Sequence, residues 1–272
     1  MSQSLFSEDL EQAASRDEDF LELAKKQGIS QEEALKQVRE ASIKLSKKRI
    51  EGLVGRDELI IQAVSALDEL NDTINLLANR LREWYGLHAP ERFDQLSSPE
   101  QYVRSVQSRD GGSEMGIELK EKDYLVVERQ AKTLSVMMDE RKALEKYLEE
   151  LVGELAPNLS EIAGHNLSAR LIAKAGSLKR LARQPSSTIQ VYGAERALFK
   201  HMIKGTPCPK HGLIFQHPSI MGSKKSLRGK LARALAGKLA IAARIDYYST
   251  ELNPDLMEDW ESRLSEIKGE KR

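Results

Sequence analysis

The chain has 272 residues, of which 40% are hydrophobic, 31% charged and only 5% aromatic, and its Lys and Arg balance its Asp and Glu at zero net charge. That mix, rich in Ala, Leu, Glu, Lys and Arg, favours helices over a sheet-rich core. The single cysteine, Cys208, excludes an internal disulfide framework, and no apolar run approaches the roughly 18 residues of a membrane span, so the sequence predicts a soluble, cytoplasmic protein.

Charge is segregated along the chain. Residues 1–155 hold 22 Lys and Arg against 32 Asp and Glu. Residues 156–250 hold 16 against only Glu161, Glu195 and Asp246, a net of +13. Self-repulsion of that size is offset by a polyanionic partner, and nucleic acid is the first candidate.

Residues 1–52 read as short, charged helical pieces, with Gly28 as a stop and Ser30, followed by Glu33 at capping-box spacing, as a start. From about residue 57 a seam appears: Ile60, Ala63, Leu67, Leu70, Ile74, Leu77, Leu81 and Trp84 alternate at spacings of three and four. Residues 86–119 read as a connector with Pro90, Pro99 and the turn signal Asp110-Gly111-Gly112. A second long helix follows to Leu155, with Val127, Ala131, Leu134, Met137, Leu144, Leu148, Leu151 and Leu155 on its seam and Arg141 interrupting it. Residues 53–156 therefore predict an antiparallel coiled-coil hairpin able to pair with another copy. Leu67, Leu70, Ile74, Leu77, Leu134, Leu144 and Leu148 are its candidate dimerisation residues.

After Pro157 the elements shorten, and residues 157–268 predict a compact all-helical domain, so the fold class is mostly α. Residues 167–183 carry Leu171, Ile172, Ala175 and Leu178 on one face and a basic flank outside. The stretch 187–202 runs from Thr188, Ile189 and Val191 through Gly193 into a helix of mixed character. The Pro-rich loop 205–212 leads to a strand-like run, Leu213–Gln216, and residues 222–249 read as one long helix with Arg228, Lys230, Arg233 and Lys238 on its basic flank.

Catalytic chemistry is hard to find. Five histidines are scattered, and Cys208 with His211 has metal-like spacing but lacks the rest of a ligand set. Three acids in 95 residues are few for paired carboxylates or magnesium, and Gly222–Ser226 lacks phosphate-loop spacing. No catalytic residue, metal or cofactor is expected. Binding signals are better, because Arg196 and Lys200 lie one turn apart and His211 and Phe199 are flat groups that can stack on unpaired bases. A lone phenylalanine on such a helix is more often core than platform, which favours burial for Phe199.

The stretch from Ala156 to Met202, then PKHGLIFQHP and RGKLARALAGKLAIAARIDYYS, resembles the Nop-domain family of box C/D small ribonucleoproteins, in its archaeal form; residues 57–91 are similar to that family's coiled-coil entry. The resemblance implies a scaffold rather than an enzyme. Members dimerise through the coiled coil, and their carboxy-terminal domain grips a kink-turn guide RNA jointly with the kink-turn-binding protein. Their amino-terminal domain holds fibrillarin, which methylates ribosomal RNA at the 2′-OH. The family's G-A-E-K element matches Gly193, Ala194, Glu195 and Arg196, with arginine for lysine. Its A-L-F-R element matches Ala197, Leu198, Phe199 and Lys200, with lysine for arginine, and Lys210 and His211 match its P-K-H-G turn. Charge survives both swaps, but only arginine offers a planar fork. The candidate RNA-binding set is Gln190, Gly193, Ala194, Glu195, Arg196, Phe199, Lys200, Lys210, His211, Arg228 and Lys230. Two departures stand out: about 50 residues precede the coiled coil, fewer than in the family, and a Lys-rich tail is missing. Fibrillarin is thus the partner that the resemblance supports least. The other readings are a splicing-factor-like Nop-domain assembly protein, a coiled-coil adaptor without RNA binding, and a metal-dependent hydrolase using Cys208 and His211.

Overall fold

The computed structural model describes residues 28, 30–53, 55–91, 95–96, 98–109, 115–249 and 251–269. Their regular elements are all helices, with no strand among the described residues, and the chain divides into two compact units, Met1–Gly55 and Arg56–Arg272. In the first unit, α1 (Gln31–Leu53) is one helix of 23 residues, longer than the short pieces expected over 1–52; the part of that expectation before Gly28 lies outside the described residues. No proline interrupts it, and the Glu33 N–H donates to Ser30 Oγ at 3.3 Å, so Ser30 starts it as expected.

In the second unit, α2 (Arg56–Gly86) and α4 (Glu121–Leu155) pack as an antiparallel hairpin, 31 and 35 residues long. At about 1.5 Å per residue these helices reach roughly 45–50 Å. The seam holds near its start and then drifts. Ile60, Leu67, Ile74 and Leu81 are buried, but Trp84 is 36% exposed and Tyr85 takes its place at 0%. On α4, Met138 is buried and Met137 only partly so. A straight helix gains about 20° per heptad on a 3.5-residue repeat, so the buried position moves one residue along after three heptads.

The connector is not a bare link. Within it α3 (Pro99–Gln107) buries Tyr102, Val103 and Val106 against the far end of the hairpin, and the Tyr124 hydroxyl donates to the Val106 carbonyl at 2.6 Å. Ser98 and Gln101 cap α3 reciprocally and Pro99 opens it, a start signal that the prolines of this stretch obscured. The expected turn at Asp110-Gly111-Gly112 lies outside the described residues.

Leu67, Ile74, Leu134 and Leu148, expected at a dimer interface, are at most 3% exposed inside the hairpin itself. Leu70, Leu77 and Leu144 are half-buried against the same two cores. The leucine seam is consumed by the helix partner in the same chain.

Beyond the hairpin come α5 (Pro157–Ala163), α6 (His165–Ala175), α7 (Leu178–Arg183), α8 (Ser186–Val191), α9 (Glu195–Lys204), the short α10 (Pro218–Met221), α11 (Arg228–Tyr248) and α12 (Pro254–Lys268). Central to them is α11, whose Leu231, Leu235 and Leu239 are fully buried against α5, α7 and α8. The same core runs on into Ile60, Leu67, Leu148 and Val152, so the base of the hairpin and the carboxy-terminal helices bury one continuous apolar mass. Leu213–Gln216, read as strand-like, is a single turn of 3₁₀ helix, because Gly212 and Pro218 leave it too short to pair. The long carboxy-terminal helix begins at Arg228 rather than 222, since residues 222–227 form turns that the Arg228 Nε closes on the Ser223 carbonyl at 3.0 Å.

One polar cluster sets the angle between hairpin and helices. Ala156, between α4 and α5, has no side chain to cap α5. Asp246, 1% exposed on α11, caps it from across the fold: its Oδ1 accepts from the Asn158 N–H and Nδ2 at 2.9 and 2.7 Å, and its Oδ2 from the Leu159 N–H at 2.8 Å. Asn158 also donates to the Glu251 carbonyl and accepts from the Asn253 N–H, which ties in the start of α12. Burial pushes the Asp246 carboxyl above its ordinary value, and the donated hydrogen bonds pull it back only in part. Asp246→Ala strands three buried donors and is expected to cost about 3 kcal/mol or more, read from urea unfolding, with a smaller loss for Asp246→Asn. Leu134→Ala is expected to cost about 2–5 kcal/mol of chain stability at any protein concentration; a loss seen only on dilution would put Leu134 at a subunit interface instead.

Candidate nucleic-acid interface

The residues 190–213 form a small platform built by two close backbone approaches. At the end of α8 the chain turns through Gly193, whose φ of 83° favours glycine, and a Cβ there would meet Leu213 Cγ at 2.7 Å. The returning loop is laced onto this turn. Gln190 Nε2 donates to the Lys210 carbonyl at 2.7 Å, the Gly212 N–H to the Gln190 carbonyl at 3.0 Å, and the Leu213 N–H to the Tyr192 carbonyl at 2.6 Å. At Gly212 a Cβ would run into the Tyr192 carbonyl, so no other residue fits.

Glu195 opens α9 and explains an acid in this basic block. Burial opposes its charge, but the Gly193 N–H at 2.9 Å, its own N–H and Lys174 Nζ at 3.1 Å outweigh that and hold its carboxyl below the ordinary glutamate value. Its place in the first helical turn also suits the helix dipole. Glu195 is therefore spent within the protein, positioning the turn.

The helix it starts has no buried residue at all. Leu198 is half-buried, while Arg196, Ala197, Phe199 and Lys200 are exposed. Phe199, expected in the core, is 61% exposed, and Met202 and Ile203 beside it are 71% and 79% exposed. Too few large apolar residues lie under α9 to cover it, so three bulky side chains stand in water among three cations, Arg196, Lys200 and Lys204.

Next to α9's root, the loop makes the contact with α11 that sequence could not place. The His211 ring stacks on Phe215 at 4.7 Å and 16°, the Arg228 guanidinium lies over the Phe215 ring at 5.2 Å, and Lys210 carbons border Gly229. Burial, then the Arg228 charge, lowers the His211 pKa, so the ring is neutral at pH 7. The structure thus gathers Gln190, Gly193, Ala194, Glu195, Lys210, His211 and Arg228, with Arg196, Phe199 and Lys200 projecting from the helix they anchor. Lys230 stands apart. Two residues along a helix is about 200° of rotation, and Lys230 faces the groove between α11 and α12 instead.

Sequence reasoning missed Met202 and Ile203, although their place one turn beyond Phe199 was a signal, and it missed Lys174 as the partner of Glu195. Cys208 is exposed, and His217 is turned away from it, its Nε2 on the Ile162 carbonyl at 2.9 Å and its Nδ1 capping α10. Among the described residues no three His, Cys, Asp or Glu side chains gather as metal ligands. No helix among the described residues is long and apolar enough to cross a membrane.

Fold and site together define a helical hairpin protein with a cationic, partly apolar head. Its family follows from comparison with known proteins: the family model for "Nop: snoRNA binding domain, fibrillarin" matches residues 66–114 and 108–266, and the chain belongs to the Nop family. It is similar to an uncharacterised NOP5 family protein of Methanocaldococcus jannaschii, at 41% identity over 84% of this chain and 61% of that one. Nucleolar protein 56 of Homo sapiens is 34% identical over 77% of this chain and 41% of its own. A chain in the crystal structure of a fibrillarin/Nop5p complex has a TM-score of 0.55 and 29% identity over 88% of this chain and 80% of that one. This chain therefore spans about three fifths of the archaeal relative and two fifths of the human one.

Two substitutions separate the platform from its projecting helix. Phe199→Ala is expected to leave stability within about 0.5 kcal/mol, because the ring is mostly in water. Gly212→Ala is expected to cost about 2 kcal/mol or more, with faster amide exchange at Leu213, because it breaks the lacing. Both are read by thermal melting.

Proposed function

We propose that this chain is a scaffold of the box C/D ribonucleoprotein type, binding a kink-turn guide RNA together with the kink-turn-binding protein in the cytoplasm. The observation that carries the reading is α9: an exposed helix on which Phe199, Met202 and Ile203 alternate with Arg196, Lys200 and Lys204. A surface for RNA alone needs cations and a stacking group or two; one for protein alone needs few cations. Bulky apolar groups and cations interleaved on one helix suit a composite partner, with protein against the apolar groups and phosphates against the charges. The stacked His211, Phe215 and Arg228 at the root of α9 supply a rigid edge for the same partner.

The charge of the block supports this reading. Of its three acids, Asp246 is buried and Glu195 is paired with Lys174, which leaves Glu161 at the surface. The exposed surface of the block is thus strongly positive, with Glu161 as its one acid not buried or paired among the described residues.

Two further parts belong to the proposal. Dimerisation is assigned to the outward faces of the hairpin, where Leu76 and Val136 are 70% and 68% exposed, because the leucine seam is closed inside the chain. Fibrillarin binding, with delivery of the methyltransferase to ribosomal RNA, rests on the similarity to a chain crystallised in a fibrillarin/Nop5p complex. No residue of this chain is assigned a chemical step; the scaffold positions its partners.

The test is a titration of a box C/D kink-turn RNA with the full chain, with and without the kink-turn-binding protein. Tight binding is expected only when both are present, weakening log-linearly with salt by about 0.9 per duplex phosphate contacted. Equal affinity with and without the second protein would sink the composite reading. Arg196→Glu with Lys200→Glu is expected to weaken binding tenfold or more, and Phe199→Ala, which removes an apolar group from the protein-facing part of the surface, by about 1 kcal/mol or more.

A further inference from the structure

A second basic feature lies on the other side of α11. Along the groove between α11 and α12, Lys230 and Arg233 are exposed one turn apart, with no acidic partner within ion-pair distance among the described residues. The acids in this groove are already engaged. Asp259 pairs with Lys238 Nζ at 2.9 Å, and Glu266 with Arg263 at 2.6 Å. The α11 wall therefore keeps two cations beyond the one that Asp259 takes, and both acids of the α12 wall are paired. The floor between them is low, because Ala234 and Gly237 line it and a Cβ on Gly237 would meet nothing within 4 Å. At the far end Ile241 is 42% exposed. From Lys230 to Ile241 the ledge runs about 16 Å along the helix.

We infer that this groove is a second RNA-binding track, taking the sugar–phosphate backbone of a guide-RNA segment outside the kink-turn. The inference rests on the RNA-scaffold reading above and extends it to a separate face. Two unpaired cations at one-turn spacing beside a shallow, small-residue floor suit successive phosphates, and Ile241 offers an apolar surface to a ribose or an unpaired base. An acidic peptide is the weaker occupant. Its anchoring side chains need pockets, whereas Ala234 and Gly237 leave an open floor. Arg228 and Lys230 face roughly opposite ways on α11, so a guide RNA held at both must pass around this helix. The track thereby sets the direction in which the RNA leaves the α9 platform.

The experiment compares two RNAs, a kink-turn trimmed to its two short stems and the same kink-turn with a single-stranded guide extension, each bound by the full chain with the kink-turn-binding protein. Lys230→Glu with Arg233→Glu should leave the trimmed complex unchanged and weaken the extended one about tenfold or more, lowering its salt slope by about 1.4 at ~0.7 per single-strand phosphate. Arg196→Glu with Lys200→Glu should weaken both RNAs alike. An unchanged melting temperature checks that the groove variant is folded, as both of its residues are exposed. Equal affinity of wild type and groove variant for the extended RNA overturns the track while leaving the α9 platform standing. Equal weakening of both RNAs overturns it too, since the groove charges would then act as a general field. Displacement of the extension by poly-glutamate, with no advantage of extended over trimmed RNA, overturns it in favour of an acidic protein partner. Failure of the wild type to bind either RNA removes the scaffold reading and the track with it.

Discussion

The buried meeting of Asp246 with Asn158 and Leu159 is the constraint on which the rest of this molecule depends. A 35-residue helix ends at Leu155 and a new one begins two residues later in a different direction. Such a corner leaves amide groups without helical partners in a dry interior, where each costs free energy unless it finds an acceptor. Ala156 offers none, so the acceptor comes from α11, 88 residues further along. Because Asn158 reaches onward to Glu251 and Asn253, the same contact locates α12. Hairpin, central helix and final helix are thus oriented by a few side-chain and backbone groups, and the two basic faces of α11 inherit their positions from it.

Around that corner the ionic contacts are mostly economical local ties. Arg170 forks onto Asp68 of α2 at 2.6 and 3.2 Å, and Asp57 accepts the Leu178 N–H at the start of α7. Arg244 donates to the Ala182 carbonyl. Half-exposed pairs of this kind add little stability each, yet they choose among orientations that the apolar core alone would tolerate. They also occupy some of the cations: Arg170, Lys174, Lys238 and Arg244 are tied within the fold, while α9, the Lys210 loop and the Lys230–Arg233 ledge are among the places where exposed cations face outward.

The α9 platform shows how such a surface is kept rigid without a core beneath it. Its helix buries nothing, so its position comes from both ends. The glycine turn with its Glu195 bond holds one end, and the His201 ring, donating from Nδ1 to the Thr206 carbonyl, holds the other. A protruding helix fixed at its termini keeps its whole length free for a partner, and its exposed apolar groups remain tolerable because cations separate them.

Much of the fold was legible along the chain. Period-3.5 leucines announced the hairpin, prolines and glycines marked its ends, and the asymmetry of charge located the interface, because these signals are carried by neighbours within two turns. The misplaced Trp84 and Met137 and the unseen α3 mark the limit of that logic: small angular drift accumulates, and a nine-residue helix is too short to show a period. What only the folded molecule decided depends on residues far apart in sequence. That the leucine seam serves its own chain, that Phe199 stands in water, that the Lys210 loop lies against Arg228 and Gly229, and that Lys230 turns away from them all follow from how one helix buries against several others. Local pattern states which side of a helix is apolar; the competition of all such sides for a single core determines which of them finds cover.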